Sequence, residues 1–128
     1  MSRSALRLAV GLLFLGIPGA ASAAEPPLTA QQAAAHLGEA RTVCGLVAST
    51  KYLPKANGQP TLLNLPKPYP DHAFTIVIFG EHRSLFPQPP EVFYKGKQVC
   101  VTGEIKDYRS KPEIVVEKRD QLKVVQRP

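Results

Sequence analysis

The stretch from Gly96 to Val125, GKQVCVTGEIKDYRSKPEIVVEKRDQLKVV, leaves this chain few ways to fold. Val99, Val101 and Ile105 share one parity, with Gly103 on the same face where a strand must bend. Alternation of that kind is the mark of a strand with one face in a core. A short basic turn, Tyr108-Arg109-Ser110-Lys111-Pro112, separates it from a second apolar run, Ile114-Val115-Val116. Near residue 42, TVCGLVAST adds another strand with a glycine inside it. Short alternating strands that bend at internal glycines predict a small closed β-barrel.

The rest of the chain supplies the missing strands. The first covers about Thr42 to Tyr52, with Gly45 allowing a tight bend. Pro54-Lys55-Ala56-Asn57-Gly58 follows, and its Asn-Gly pair is the strongest short hairpin signal in the sequence. Thr61 to Leu65 is the second strand. Pro66, Pro68 and Pro70 lack amide donors, so 66–71 is not a central strand. The third strand, Ala73 to Phe79, contains FTIVIF, whose continuous apolar character implies one face in the core and the other covered or used for binding. Glu81 to Phe86 and Pro89 to Tyr94 suit two short helical turns, since proline is tolerated in a first turn. Lys97 to Tyr108 is the fourth strand and Glu113 to Val116 the core of the fifth, extended by Leu122 to Val125. Upstream, LTAQQAAAHLGEA predicts a helix with Thr29 as N-cap, Gln32 in the capping-box position and Gly38 past the last turn. Leu28, Ala33 and Leu37 form its apolar stripe. The expected fold is all-β: a five-stranded Greek-key barrel of the oligonucleotide/oligosaccharide-binding (OB) type, with a short N-terminal helix and a short broken helix between strands three and four.

Residues 1–23 stand outside that fold. Arg3 and Arg7 precede a short apolar run, Leu8 to Ile17, and Ala21-Ser22-Ala23 gives the small-residue pattern of a cleavage site. This is the pattern of a Sec-type signal peptide. An apolar run of about ten residues is too short to span a bilayer, which takes roughly 20. The expected organisation is a signal peptide at 1–23, a disordered tail at 24–28 and one OB domain at 29–128, periplasmic or secreted, without stable membrane insertion after cleavage. Removing 1–23 takes two of the 16 Lys and Arg and none of the 10 Asp and Glu, leaving 14 against 10, a net of +4. A mild positive balance permits polyanion binding without demanding it.

Export also bears on the cysteines. In an oxidising compartment two cysteines usually pair. Cys44 lies in the first strand and Cys100 in the fourth, which neighbour each other antiparallel in an OB barrel. Val43 and Val47 point inward on one strand, Val99 and Val101 on the other, so both cysteines face out and a disulfide is expected.

Catalytic signals are weak. There is no Gly-rich phosphate loop and no Ser-His-Asp pattern. His36, His72 and His82 are isolated, without a second ligand three or four residues away, so neither a metal nor a cofactor is expected. Asp71, Glu81, Arg83, Glu104, Asp107 and Arg109 are scattered, and the chain is not expected to be an enzyme.

Binding is better supported. OB barrels bind across strands two and three and the loops joining strands one to two and four to five. The first loop offers Lys51, Tyr52 and Lys55, and the last offers Lys106, Tyr108, Arg109 and Lys111. Asn64, Tyr69 and Phe74 add a middle face. Cations that track phosphates beside rings that stack bases are what single-stranded nucleic acid requires. A second reading is a periplasmic module for an envelope protein or a small charged ligand, docking on FTIVIF beside the proline-rich 66–70 segment. Either way a monomer is expected.

CGLV at 44–47, PTLLNL at 60–65, YPDHAFTIVIF at 69–79 and GKQVCVTGEIKDYRSKPEIVV at 96–116 resemble the small exported bacterial OB-fold proteins commonly labelled nucleic-acid-binding or DNA-binding. The resemblance covers most of residues 30–125 and implies a binding face through Lys51, Tyr52, Asn64, Tyr108 and Lys111, with no catalytic residues. Ser110 departs from it, standing where a glycine is frequent.

Overall fold

The computed structural model describes residues 25–125; the expected export segment, 1–23, lies outside them. The chain is mostly β. Two mixed sheets are built from β1 (Leu28–Thr29), β2 (Ala40–Leu46), β3 (Ser49–Tyr52), β4 (Thr61–Leu65), β5 (Phe74–Ile78), β6 (Gln98–Glu104), β7 (Lys106–Tyr108), β8 (Lys111–Val115) and β9 (Leu122–Val124). The four-stranded sheet runs β1-β2-β6-β9 and the five-stranded sheet β3-β4-β5-β8-β7. β1 is parallel to β2 and β5 to β8; every other pairing is antiparallel.

Two of the expected long strands are each broken once. The 42–52 strand becomes β2 and β3, and the 97–108 strand becomes β6 and β7. At each break the backbone leaves one sheet and enters the other. The break residues stay bonded. Val47 N–H donates to the Lys97 carbonyl at 2.9 Å, Ala48 N–H to the Asn64 carbonyl at 2.9 Å, and Ile105 N–H to the Glu39 carbonyl at 2.9 Å. Val47 and Ile105 are fully buried. Each bend is therefore anchored by an apolar side chain as well as by backbone bonds.

One core serves both sheets. Val43, Val99 and Val101 enter it from the four-stranded sheet, and Leu63, Leu65, Phe74, Ile76, Ile78 and Ile114 from the five-stranded one. A Cβ added at Gly103 would stand 2.8 Å from Ile114 Cγ2. The bare backbone there lets β6 approach β8, two residues before the chain changes sheets at Ile105.

The helices are shorter than the sequence suggests. The N-terminal one is a 3₁₀ turn, Gln31–His36. The capping-box pair is present: Thr29 N–H donates to Gln32 Oε1 at 2.9 Å and Gln32 N–H to Thr29 Oγ1 at 3.2 Å. Only Ala33 of this turn is buried, and Leu37 is 47% exposed because the chain turns away at Gly38 (φ 87°). Leu28, expected in the tail, pairs with Val43 and is buried, and Glu25 meets Arg41 Nε at 2.9 Å. Between β5 and β6 lie a 3₁₀ turn, Gly80–Leu85, and α1 (Pro90–Phe93), with proline at its start. The Asn-Gly signal misleads. Gly58 and Gln59, not Asn57, carry positive φ, so β3 and β4 are joined by a wider loop than a two-residue turn.

Cys44 and Cys100 sit directly opposite in the β2–β6 ladder and are bonded, 56 residues apart in sequence.

Two measurements test this description. Reduction is expected to add about 2 Da to the intact mass and to lower the unfolding free energy in urea by about 4 kcal/mol, the chain-entropy value for a loop of this size. Gly103→Ala is expected to cost about 1–3 kcal/mol in the same assay, because the Ile114 methyl it meets is locked in the core.

Candidate functional site

The pleat of the five-stranded sheet decides which side chains face out. Leu63 and Leu65 of β4, Phe74, Ile76 and Ile78 of β5, and Pro112 and Ile114 of β8 are buried inward. The intervening residues therefore point to the opposite face. Strand register aligns them in two rows. Ser49, Asn64, Thr75, Glu113 and Lys106 make a polar row across β3, β4, β5, β8 and β7. Lys51, Leu62, Val77 and Val115 make a second, mainly apolar row beside it.

Several expected contact residues are not available on this face. Phe74 is fully buried, because its parity places it with Ile76 and Ile78 in the core. Asn64 is 3% exposed; its Nδ2 donates to Ser49 Oγ at 3.1 Å and its Oδ1 accepts from Thr75 Oγ1 at 3.1 Å. The ring of Tyr52 lies under the Arg83 guanidinium, 3.7 Å from Cζ. Arg83 also donates to Thr61 Oγ1 at 2.7 Å and Glu91 Oε1 at 2.8 Å, fastening the 80–93 segment to β3 and β4. Lys111 does not project freely: its Nζ donates to the carbonyls of Pro70 (3.2 Å) and His72.

The others remain open. Tyr69 is 72% exposed and Tyr108 55%. Tyr69 stacks on His72 at 5.6 Å, and the Arg109 guanidinium stands 5.2 Å from the centre of the Tyr108 ring. Lys111 links the two tyrosines, since it pairs with Tyr108 across the β7–β8 hairpin and holds the carbonyl of the residue after Tyr69. Tyr69, Lys106, Tyr108, Arg109 and Lys111 thus gather at one end of the face. Lys51 is exposed along the apolar row, and Lys55 is exposed in the 53–60 loop.

The β7–β8 turn presents this end. Arg109 (φ 52°) and Ser110 (φ 71°) both adopt the left-handed conformation of a two-residue hairpin. The serine that departs from the glycine-rich pattern takes up the turn anyway, at an energetic cost.

Electrostatics within the face are mixed. Burial pushes the Glu113 carboxyl above its ordinary range, opposed by the nearby Lys106 ammonium. Burial first, and Lys111 second, hold the His72 imidazole below its ordinary value. His72 Nδ1 is buried without a hydrogen-bond partner. Ser49, His72, Glu113 and Arg83 matter here although none stood out as a contact residue in the sequence. Only strand register joins Ser49 to Asn64 and Thr75, and register is not written in the local pattern. Among the described residues no cluster of His, Cys, Asp or Glu could hold a metal ion.

No protein-family model matches the chain, and no curated protein matches it. Among solved structures it is similar to the asparaginyl-tRNA synthetase from Pyrococcus horikoshii, at 19% identity over 77% of this chain and 23% of that one, with a TM-score of 0.50. It is also similar to a protein described as an aspartyl-tRNA synthetase from Leishmania major Friedlin, at 12% identity over 88% of this chain and 23% of that one, with a TM-score of 0.51. The chain therefore spans about a quarter of the length of either. The likeness is one of fold, and that fold is OB-like.

Ser110→Gly is expected to raise stability by about 0.5–1 kcal/mol in urea unfolding, because glycine adopts the observed φ without steric cost. The NMR shifts of Lys106 and Glu113, paired across the same hairpin beyond the turn, are expected to stay in place.

Proposed function

We propose that this chain is an exported OB module whose two sheets close into a single barrel, and that it binds single-stranded nucleic acid without sequence preference. The observation that carries the reading is the pair of exposed rings, Tyr69 and Tyr108, set around Lys111 with Lys106 and Arg109 beside them. Bases of any sequence stack on such rings, while the cations meet the phosphates. Lys51 extends the track along the sheet. The two similar structures are named as tRNA synthetases, in keeping with a nucleic-acid ligand.

Closure is supported by the ladders. β2 pairs with β6, β3 with β4, β4 with β5, β5 with β8, and β8 with β7, while β2 runs into β3 and β6 into β7. Followed in order, those links return to their start, which is the arrangement a barrel requires. Export is supported by the composition of residues 1–23 and by the Cys44–Cys100 bond, since disulfides persist in oxidising compartments. Docking of a protein partner on FTIVIF loses its motive, because every residue of β5 is buried.

Fluorescence anisotropy with labelled oligonucleotides tests the reading. Binding at micromolar protein is expected, with log K falling against log salt at a slope of about −2 to −3 for three or four phosphate contacts. Tyr69→Ala and Tyr108→Ala are each expected to cost about 1–3 kcal/mol of affinity. Arg109→Ala is expected to flatten the slope by just under one unit. An absence of binding at low salt would refute the proposal.

A further inference from the structure

The polar row has a cover. Asn64 and Thr75 point away from the core, yet they are 3% and 8% exposed. The segment that reaches over them is 66–72. Tyr69 N–H donates to Ser49 Oγ at 2.9 Å, and Ser49 Oγ also accepts from Asn64. Lys111 Nζ, from the other side of the same face, holds the carbonyls of Pro70 and His72. The segment thus crosses the sheet from β3 to β8.

Its attachment is polar and sparse. Lys67, Pro68, Tyr69, Pro70 and Asp71 are all exposed, and only His72 is tucked in. Even that residue is held at a cost, because its buried Nδ1 has no partner. A segment fixed by a few hydrogen bonds, with one unsatisfied polar atom beneath it, opens at less cost than the strands it covers. What opening would uncover is a hydroxyl, an amide and a second hydroxyl in register: Ser49, Asn64 and Thr75. Such groups hydrogen-bond to the edges of bases.

We propose that residues 66–72 form a strap closed over the Ser49–Asn64–Thr75 row, that Lys111 is its latch, and that a bound single strand lifts it. This rests on the nucleic-acid reading for its ligand, though not for the latch itself. A phosphate is a stronger acceptor for the Lys111 ammonium than the two carbonyls it holds in the free protein. The strand therefore competes for the latch, and the uncovered row becomes reachable by its bases.

Amide hydrogen exchange followed by NMR tests the proposal. In the wild type, the Tyr69 amide, which bonds to Ser49, is expected to exchange faster than the amides of β5, through an opening confined to the strap. Lys111→Met keeps the stem and removes the charge, and is expected to speed the Tyr69 amide about tenfold while β5 is unchanged. Lys111→Arg retains the charge and is expected to stay close to wild type. An oligothymidylate of about twelve nucleotides, within the usual site size, is expected to speed exchange at Tyr69 while slowing it in β7 and β8. Unchanged exchange in Lys111→Met would overturn the latch. Slower exchange at Tyr69 with the oligonucleotide bound would overturn the lifting. If no oligonucleotide binds yet Lys111→Met speeds the Tyr69 amide, the strap stands and the nucleic-acid reading falls. Wild-type exchange at Tyr69 as slow as in β5 would overturn the strap even if the variant fails to fold.

Discussion

Val47 and Ile105 are the points at which this chain changes sheets, and both side chains are fully buried. Everything else is arranged around those two bends. A strand that continued straight past either residue would splay the two sheets apart and leave each with one greasy face in water. Burying the apolar side chain at the bend, with its backbone bonded to Lys97 or Glu39, removes that alternative. Gly103 helps by letting the bent strand approach Ile114 closely. The Cys44–Cys100 bond spans β2 and β6, the two strands that then bend away, and so ties the bends to a common base.

A net positive charge invites the view that every lysine and arginine awaits a polyanion. Arg41 instead pairs with Glu25 and Glu39, Arg83 joins Tyr52, Thr61 and Glu91, and Lys97 donates to the Phe93 carbonyl while lying over its ring. Lys111 bridges a hairpin to a loop. These cations hold turns to the sheets, in a fold whose connections are too short and proline-rich to hold themselves. Of the charge left for a partner, the β7–β8 hairpin presents Lys106 and Arg109, tempered by Glu113 and Asp107, while Lys118, Arg119 and Lys123 are exposed beside β9.

The strand pattern was legible because burial on one face leaves a period of two in the sequence. Val43 with Val47 and Val99 with Val101 announce the inward parity, and the outward placing of both cysteines follows from it. The contact residues were less legible. Phe74 and Tyr69 are both aromatic and stand near the same loop, yet one is wholly buried and the other 72% exposed. Phe74 is placed by the parity of β5, whereas Tyr69 lies outside any strand in the proline-rich segment, and where that segment ends and β5 begins is not marked in the local pattern. Asn64 reads as a surface polar residue until the segment crossing above it is known.

The strands, their inward parity and the outward placing of both cysteines could be read from the order of residues, because periodicity is a property of neighbouring positions. Which of the polar and aromatic side chains face solvent was settled by packing between distant segments. Lys111, Ser49 and His72 lie tens of positions apart and meet through strand register and a crossing loop, and no local pattern records either.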